Sequence, residues 1–220
     1  LPIFPARQAY VQRLTELWDY ARPGMPWRKG KRYFRHFNPG LLNQPKLQVA
    51  DSPRGPWTDL LDPNTLSADG TVALMGLGQS DDGGQLAYGT QSAGSDWVTW
   101  RVRDVQTGQD TADLIEWSKF GGATWLPDGS GFYYSAYDAP QGDTLTGTNR
   151  NQRLMLHRLG TPQGQDELIL ARPDEPDWGF HAHITEDDRY LLVSVLKGTA
   201  RMNQVWVREL GSRGPFTELV

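Results

Sequence analysis

The 220-residue chain carries 22 Lys+Arg against 26 Asp+Glu, a formal charge of -4 with His neutral. That balance argues against the basic face of a dedicated nucleic-acid binder. A mean hydropathy of -0.58, with no apolar run near ~20 residues, excludes a membrane-spanning helix. The complete lack of Cys removes disulfides, thiol nucleophiles and zinc-thiolate sites, and fits a reducing compartment such as the cytoplasm.

The chain opens at Leu1 without an apolar leader. Residues Pro5 to Tyr20 read as a helix, because Tyr10, Val11, Leu14, Leu17 and Trp18 recur at helical spacing before Pro23 and Gly24 stop it. The basic run Arg28-Lys29-Gly30-Lys31-Arg32 has aromatic neighbours, as some nucleic-acid surfaces do. In an acidic chain it reads instead as a solvated loop entering a strand. From there the texture changes. Short apolar runs such as Arg32 to Phe37, Lys46 to Val49, Leu86 to Tyr88, Phe132 to Tyr134 and Leu191 to Val195 alternate with turn signals such as Asp69-Gly70, Asp82-Gly83 and Asp128-Gly129. Asp-Gly supplies the positive φ of a tight hairpin turn, so the body is expected to be antiparallel β.

The strands repeat. Asn43, Asp96, Asn151 and Asn203 each stand at the head of a similar strand, at steps of 53, 55 and 52 residues. Each of these strands is followed by a Gly-bearing turn and another strand. In the last three units two further strands precede it: Val72 to Leu77 and Gln85 to Thr90, Gly122 to Trp125 and Phe132 to Ser135, His181 to Ile184 and Tyr190 to Val195. A four-stranded unit at this period is the mark of a β-propeller blade. The alternative, a β-sandwich, does not keep a fixed interval between its strands. We therefore expect an all-β fold, a partial propeller of about four blades behind a short N-terminal helix. Residues 1–27 would form the helical segment and 28–220 the blades, with 138–150 extending one hairpin. The first unit lacks a clear innermost strand and the chain closes on the strand Phe216 to Val220, so it is expected to be part of a larger protein.

No chemistry-bearing motif emerges. There is no Gly-x-Ser-x-Gly elbow, phosphate loop or dinucleotide glycine pattern. His181-Ala182-His183 puts two imidazoles on one strand face, but no third ligand has a matching spacing, so no metal is expected. Asp81-Asp82-Gly83 and Asp187-Asp188 lack the alternating ligands and closing Glu of a calcium loop and read as turns. His36 and His157 fall within strands and read as packing or surface residues.

Several strings resemble the N-terminal half of the prolyl oligopeptidase family: Lys29 to Phe34, Leu61-Asp62-Pro63-Asn64, Ser67 to Leu74, Gly94 to Thr99 and Pro173-Asp174-Glu175-Pro176 with Trp178. The resemblance runs along nearly the whole chain. It implies a seven-bladed propeller that gates an α/β-hydrolase domain carrying a Ser-Asp-His triad, and cleavage of short peptides after proline. By this resemblance the chain holds the N-terminal segment and about the first half of the propeller. The triad would then lie elsewhere, no residue here is catalytic, and no cofactor is implied. The expected partners are short proline-containing peptides and the hydrolase domain of the same protein, with no nucleic acid and no membrane. The resemblance further assigns Phe120 to the substrate-pocket wall and Asp96 to the face toward the hydrolase domain, where it would pair with an Arg. Leu196 and Thr199 stand where the family pocket has Arg and Cys, and Gly179 where it has Met, so the outer pocket is expected to differ in shape and polarity. A non-catalytic propeller acting as an interaction scaffold is the other reading.

Overall fold

The computed structural model describes residues 6–92, 94–140, 142 and 149–220. One helix, α1 (Arg7–Trp18), is followed by β1 (Arg22–Pro23), β2 (Trp27–Lys29), β3 (Arg32–Asn38), β4 (Lys46–Ala50), β5 (Thr58–Leu61), β6 (Val72–Gln79), β7 (Gln85–Ser92), β8 (Val98–Asp104) and β9 (Asp110–Ser118). Then come β10 (Thr124–Trp125), β11 (Gly131–Ala136), β12 (Arg153–Arg158), β13 (Glu167–Ala171), β14 (Trp178–Ile184), β15 (Tyr190–Lys197), β16 (Gln204–Glu209) and β17 (Thr217–Glu218). The chain divides into two compact units, Leu1–Ala73 and Leu74–Val220.

The first unit holds α1 and a sheet of order β1-β3-β4-β5, with β2 sharing the edge of β3 beside β1. The basic run expected as a loop is a hairpin: Trp27, Arg28 and Lys29 pair with Phe34, Tyr33 and Arg32 around Gly30 at φ 54. Its charges spread over both edges of that turn, with Arg32 reaching Asp51 at 2.7 Å. Phe34 and Leu47 are fully buried in this sheet. Asn64 ties the turn after β5 back to Gln44, accepting from its N–H at 3.0 Å and donating to its carbonyl at 2.9 Å. Helix α1 buries none of its residues; Tyr10, Leu14, Leu17 and Trp18 are all exposed.

The second unit contains three sheets, ordered β6-β7-β8-β9, β10-β11-β12-β13 and β14-β15-β16-β17. All three are antiparallel meanders, and adjacent sheets stack face to face. Strand β11 shows why. A strand presents alternate residues to opposite faces, yet every residue of β11 is buried. Phe132, Tyr134 and Ala136 pack with Ala87, Trp100, Val102 and Ile115 of the preceding sheet. Tyr133, with Leu154 and Leu156 of β12, packs with Phe180, Leu191, Val193 and Val195 of the following one. Burial on both faces turns the usual alternation into the continuous apolar run Phe132-Tyr133-Tyr134, and each such ring contributes roughly 1.5–3 kcal/mol.

Polar ties fix the stacking. Trp125 Nε1 donates to the Gly78 carbonyl at 2.8 Å, and Thr124 Oγ1 donates to the Ala182 carbonyl at 2.8 Å. Trp100 is held by glycine: a Cβ on Gly76 would lie 2.5 Å from its Cη2, and one on Gly89 3.3 Å from its Cζ3. Four-stranded meanders stacked on their faces make the fold a partial β-propeller with an N-terminal helix, as the repeat predicts.

Candidate functional site

Meandering strands leave two rims. One rim of the second unit collects the end of β7, the entry to β8, the end of β9, the end of β11 and the entries to β12 and β14. Both residues singled out in the sequence lie on it. Asp96 is exposed in the turn entering β8, and Phe120, just past β9, is 53% exposed. The repeat explains the placement, since the marker residues Asp96 and Asn151 head the third strand of successive sheets.

The backbone of this rim is unusual. Trp117, Phe120 and Asn151 have φ of 58°, 53° and 59°. Left-handed backbone is a genuine outlier for bulky residues such as Trp and Phe, costs of order 1–3 kcal/mol each, and persists only where the surroundings over-determine it. Here they do so through Lys119. Its side chain is buried at 3% exposure. Nζ sits 4.1 Å from the centroid of the Trp97 ring, donates to Asn149 Oδ1 at 3.0 Å, and lies 5.9 Å from the Phe120 ring. The Lys119 carbonyl accepts from Ser135 Oγ at 2.6 Å and from Gln152 Nε2 at 3.3 Å. Trp97 is boxed edge-on by Trp117 at 5.5 Å and Tyr137 at 6.0 Å. Gln152, also buried, donates to the Tyr137 hydroxyl at 3.1 Å and accepts from the Phe180 N–H, which carries the network into the next sheet. Burial pushes the Lys119 ammonium below its usual pKa, while the charge of Asp96 pulls it back up. Burial raises the Tyr137 phenol, so the hydroxyl stays neutral.

Gly179 and Leu196 pair across β14 and β15 at the same rim, and a Cβ on Gly179 would lie 3.3 Å from Gln152 Oε1. Thr199 is exposed in the turn that follows β15. The sequence missed Lys119, Trp97 and Gln152 as site residues, because a lysine in a turn normally reads as solvated surface and only the fold reveals the box that takes it in. Part of the long hairpin expected over 138–150 (141 and 143–148) lies outside the described residues.

The other candidates lie elsewhere. His181 and His183 occupy alternate positions of β14, and among the described residues no third ligand joins them. Burial, with a smaller contribution from His183, lowers the His181 pKa, so its imidazole is neutral. His157 is fully buried between two carboxylates, with Nδ1 2.8 Å from Asp166 Oδ1 and Nε2 3.0 Å from Asp113 Oδ1 across the sheet boundary. It is a structural link between sheets. The site therefore offers an apolar ring, a carboxylate and a rigid floor that can bind and orient a ligand, and among the described residues no nucleophile–base pair stands on it.

Comparisons with known proteins identify the family. The family model for the prolyl oligopeptidase N-terminal beta-propeller domain matches residues 2–220. A prolyl endopeptidase of Elizabethkingia miricola is 34% identical over 217 residues, spanning 98% of this chain and 30% of its own length. Prolyl oligopeptidase A of Galerina marginata is 36% identical, with 86% of this chain and 29% of that protein covered. A solved prolyl endopeptidase structure overlays with a TM-score of 0.83 at 38% identity, covering 99% of this chain and 31% of that one. Prolyl oligopeptidase B of Galerina marginata, solved bound to a 35mer hydrolysis and macrocyclization substrate, overlays with a TM-score of 0.82 at 28% identity, covering 96% of this chain and 33% of its own. The chain thus spans about a third of the relatives it matches, and it belongs to the prolyl oligopeptidase family through its N-terminal β-propeller domain.

Proposed function

We propose that this chain is the N-terminal part of a serine peptidase that hydrolyses short peptides after proline, and that its rim forms one wall of the substrate pocket. In the intact enzyme a serine would attack the carbonyl after proline, a histidine would carry its proton, and an aspartate would orient that histidine. All three belong to a hydrolase domain outside this chain. The chain's own contribution is binding and exclusion: the propeller admits short peptides and keeps folded proteins out, Phe120 supplies apolar contact to a peptide side chain, and Asp96 faces an arginine of the hydrolase domain.

The observation that carries this reading is the half-exposed Phe120 ring, fixed in left-handed backbone on the rim that also holds Asp96. Leu196 and Thr199 flank the same rim and make the outer pocket less basic than an arginine there would. The cytoplasm is the proposed working place, supported by the absence of Cys.

The test uses the intact protein and a Gly-Pro reporter peptide. Phe120→Ala is expected to raise KM about tenfold with kcat little changed, since removing an apolar pocket contact costs about 1–3 kcal/mol. Unchanged KM would remove Phe120 from the pocket. No proline-directed turnover by the intact protein would overturn the enzyme reading in favour of a non-catalytic scaffold.

A further inference from the structure

We propose that Lys119 is a positioning residue for the substrate pocket: its buried ammonium, seated on Trp97 and bonded to Asn149, locks Phe120 in its left-handed pose and fixes the charge opposite Asp96. The inference rests on the functional reading above. It goes beyond that reading by naming the group that sets the pocket's shape and saying how it does so.

Three observations carry it. First, Lys119 is 3% exposed although lysine is almost never fully buried without a partner. None of the described ion pairs involves it; its ammonium rests on the Trp97 face at 4.1 Å and on one amide oxygen of Asn149 at 3.0 Å. A cation on an aromatic face is held more strongly when desolvated than at an exposed site. Burial nevertheless lowers its pKa, so part of the desolvation cost is left uncompensated. A solvated lysine would avoid that cost, and the residue holds this place because its surroundings fix it. Second, both ends of Lys119 are pinned. Ser135 and Gln152 hold the carbonyl while Trp97 and Asn149 hold the ammonium. The next residue is Phe120 at φ 53, so the peptide joining them has no freedom to relax. Third, Asp96 stands next to Trp97 and its charge acts on Lys119, which links the two candidate site residues through one side chain.

A lysine that only stabilised the fold would act on melting temperature and leave ligand binding to Phe120. A positioning lysine acts through Phe120. The experiment is therefore a double-mutant cycle in the intact protein, with KM and kcat for the Gly-Pro reporter measured for wild type, Lys119→Met, Phe120→Ala and the double variant. Lys119→Met is expected to raise KM about three- to tenfold with kcat within about twofold, and to have no further effect once Phe120 is Ala. Its loss of melting temperature is expected to be the same in both backgrounds. Additive effects on KM, or a KM unchanged in Lys119→Met, would overturn the inference. Should Lys119→Met not fold, Asn149→Ala serves as the second probe: it removes one ammonium partner near the surface, and an unchanged KM there would overturn the proposal equally. Failure of Phe120→Ala to move KM, or absence of any turnover, would sink the functional reading and this inference together. A shift in Phe120→Ala without one in Lys119→Met sinks the inference alone.

Discussion

A single buried imidazole decides how the second and third sheets meet. Asp113 Oδ1 accepts from His157 Nε2 and from the Gly160 N–H at 2.6 Å, while Asp166 accepts from His157 Nδ1 and, through Oδ2, from the Tyr134 hydroxyl at 2.7 Å. Only a protonated imidazole donates to both carboxylates. Burial opposes that charge, but the bonds to Asp166 and Asp113 outweigh it, so the His157 pKa is raised; the Asp113 pKa is lowered against its own burial by Thr111, Gly160 and His157. A raised histidine pKa stabilises fully below its unfolded value of about 6.5 and loses that contribution as pH rises through the folded value. A lowered aspartate pKa stabilises above about 3.9 and loses it as pH falls. The link is therefore strongest between those limits. His157→Gln is expected to lower stability by about 3 kcal/mol or more near pH 6, since it leaves a buried carboxylate uncompensated. It should also flatten the decline in stability between pH 6 and pH 9, and chemical denaturation at both pH values would measure this. A variant with wild-type slope would show that the imidazole is neutral. Trp100 offers a simpler test of the same boundary. Its ring fills the space over Gly76 and Gly89, and Nε1 donates to Ser118 Oγ at 3.1 Å, so Trp100→Ala is expected to cost about 3–5 kcal/mol in equilibrium unfolding.

Elements were legible in the sequence wherever a marker residue stood at the head of a strand or an acidic or Gly-bearing turn lay beside it. Strand β13 falls on the expected residues Glu167 to Ala171, and β7, β11 and β15 extend past their expected ends by only one or two residues. Strands β1 and β2 were missed because Pro23 and a run of five basic or glycine residues mask them, and because each spans only two or three residues along the edge of β3. The helix came out shorter than Pro5 to Tyr20: it ends at Trp18, where Asp19 leaves helical geometry at ψ 72, before Pro23 can act. Phe120 and Asp96 were legible only through resemblance. Lys119 was not, because nothing in a lysine's neighbours along the chain reports that a tryptophan and an asparagine close over it. The turn chemistry itself can be tested. Gly129 sits at φ 70 between β10 and β11, so Gly129→Ala forces a side chain into left-handed backbone and is expected to cost about 1–2 kcal/mol. Gly164 has ordinary φ and open space around its Cα, so Gly164→Ala is expected to be neutral or slightly stabilising by the same unfolding assay.

At the scale of the molecule, the proposed function separates binding from chemistry along the chain. The third sheet is covered on both faces, whereas β16 of the last sheet has no buried residue, and Met202, Leu219 and Val220 are 84%, 57% and 78% exposed. Exposed apolar surface of this kind is a contact region or an association hazard. Helix α1 adds a second such surface in the first unit, with Tyr10, Val11, Leu14, Leu17 and Trp18 all exposed. The 220-residue chain prepared alone is therefore expected to elute in gel filtration as species larger than its 24.7 kDa mass. It is also expected to leave a Gly-Pro reporter peptide uncleaved, because among the described residues the rim that holds Phe120 and Asp96 has no nucleophile beside a base. Adding back the separately expressed remainder of the protein should restore turnover if the rim is a wall of the pocket, and that restored activity should weaken when the Phe120→Ala chain replaces the wild type. Turnover by the 220-residue chain after rigorous purification would mean that the separation is false and that a nucleophile lies within these sheets.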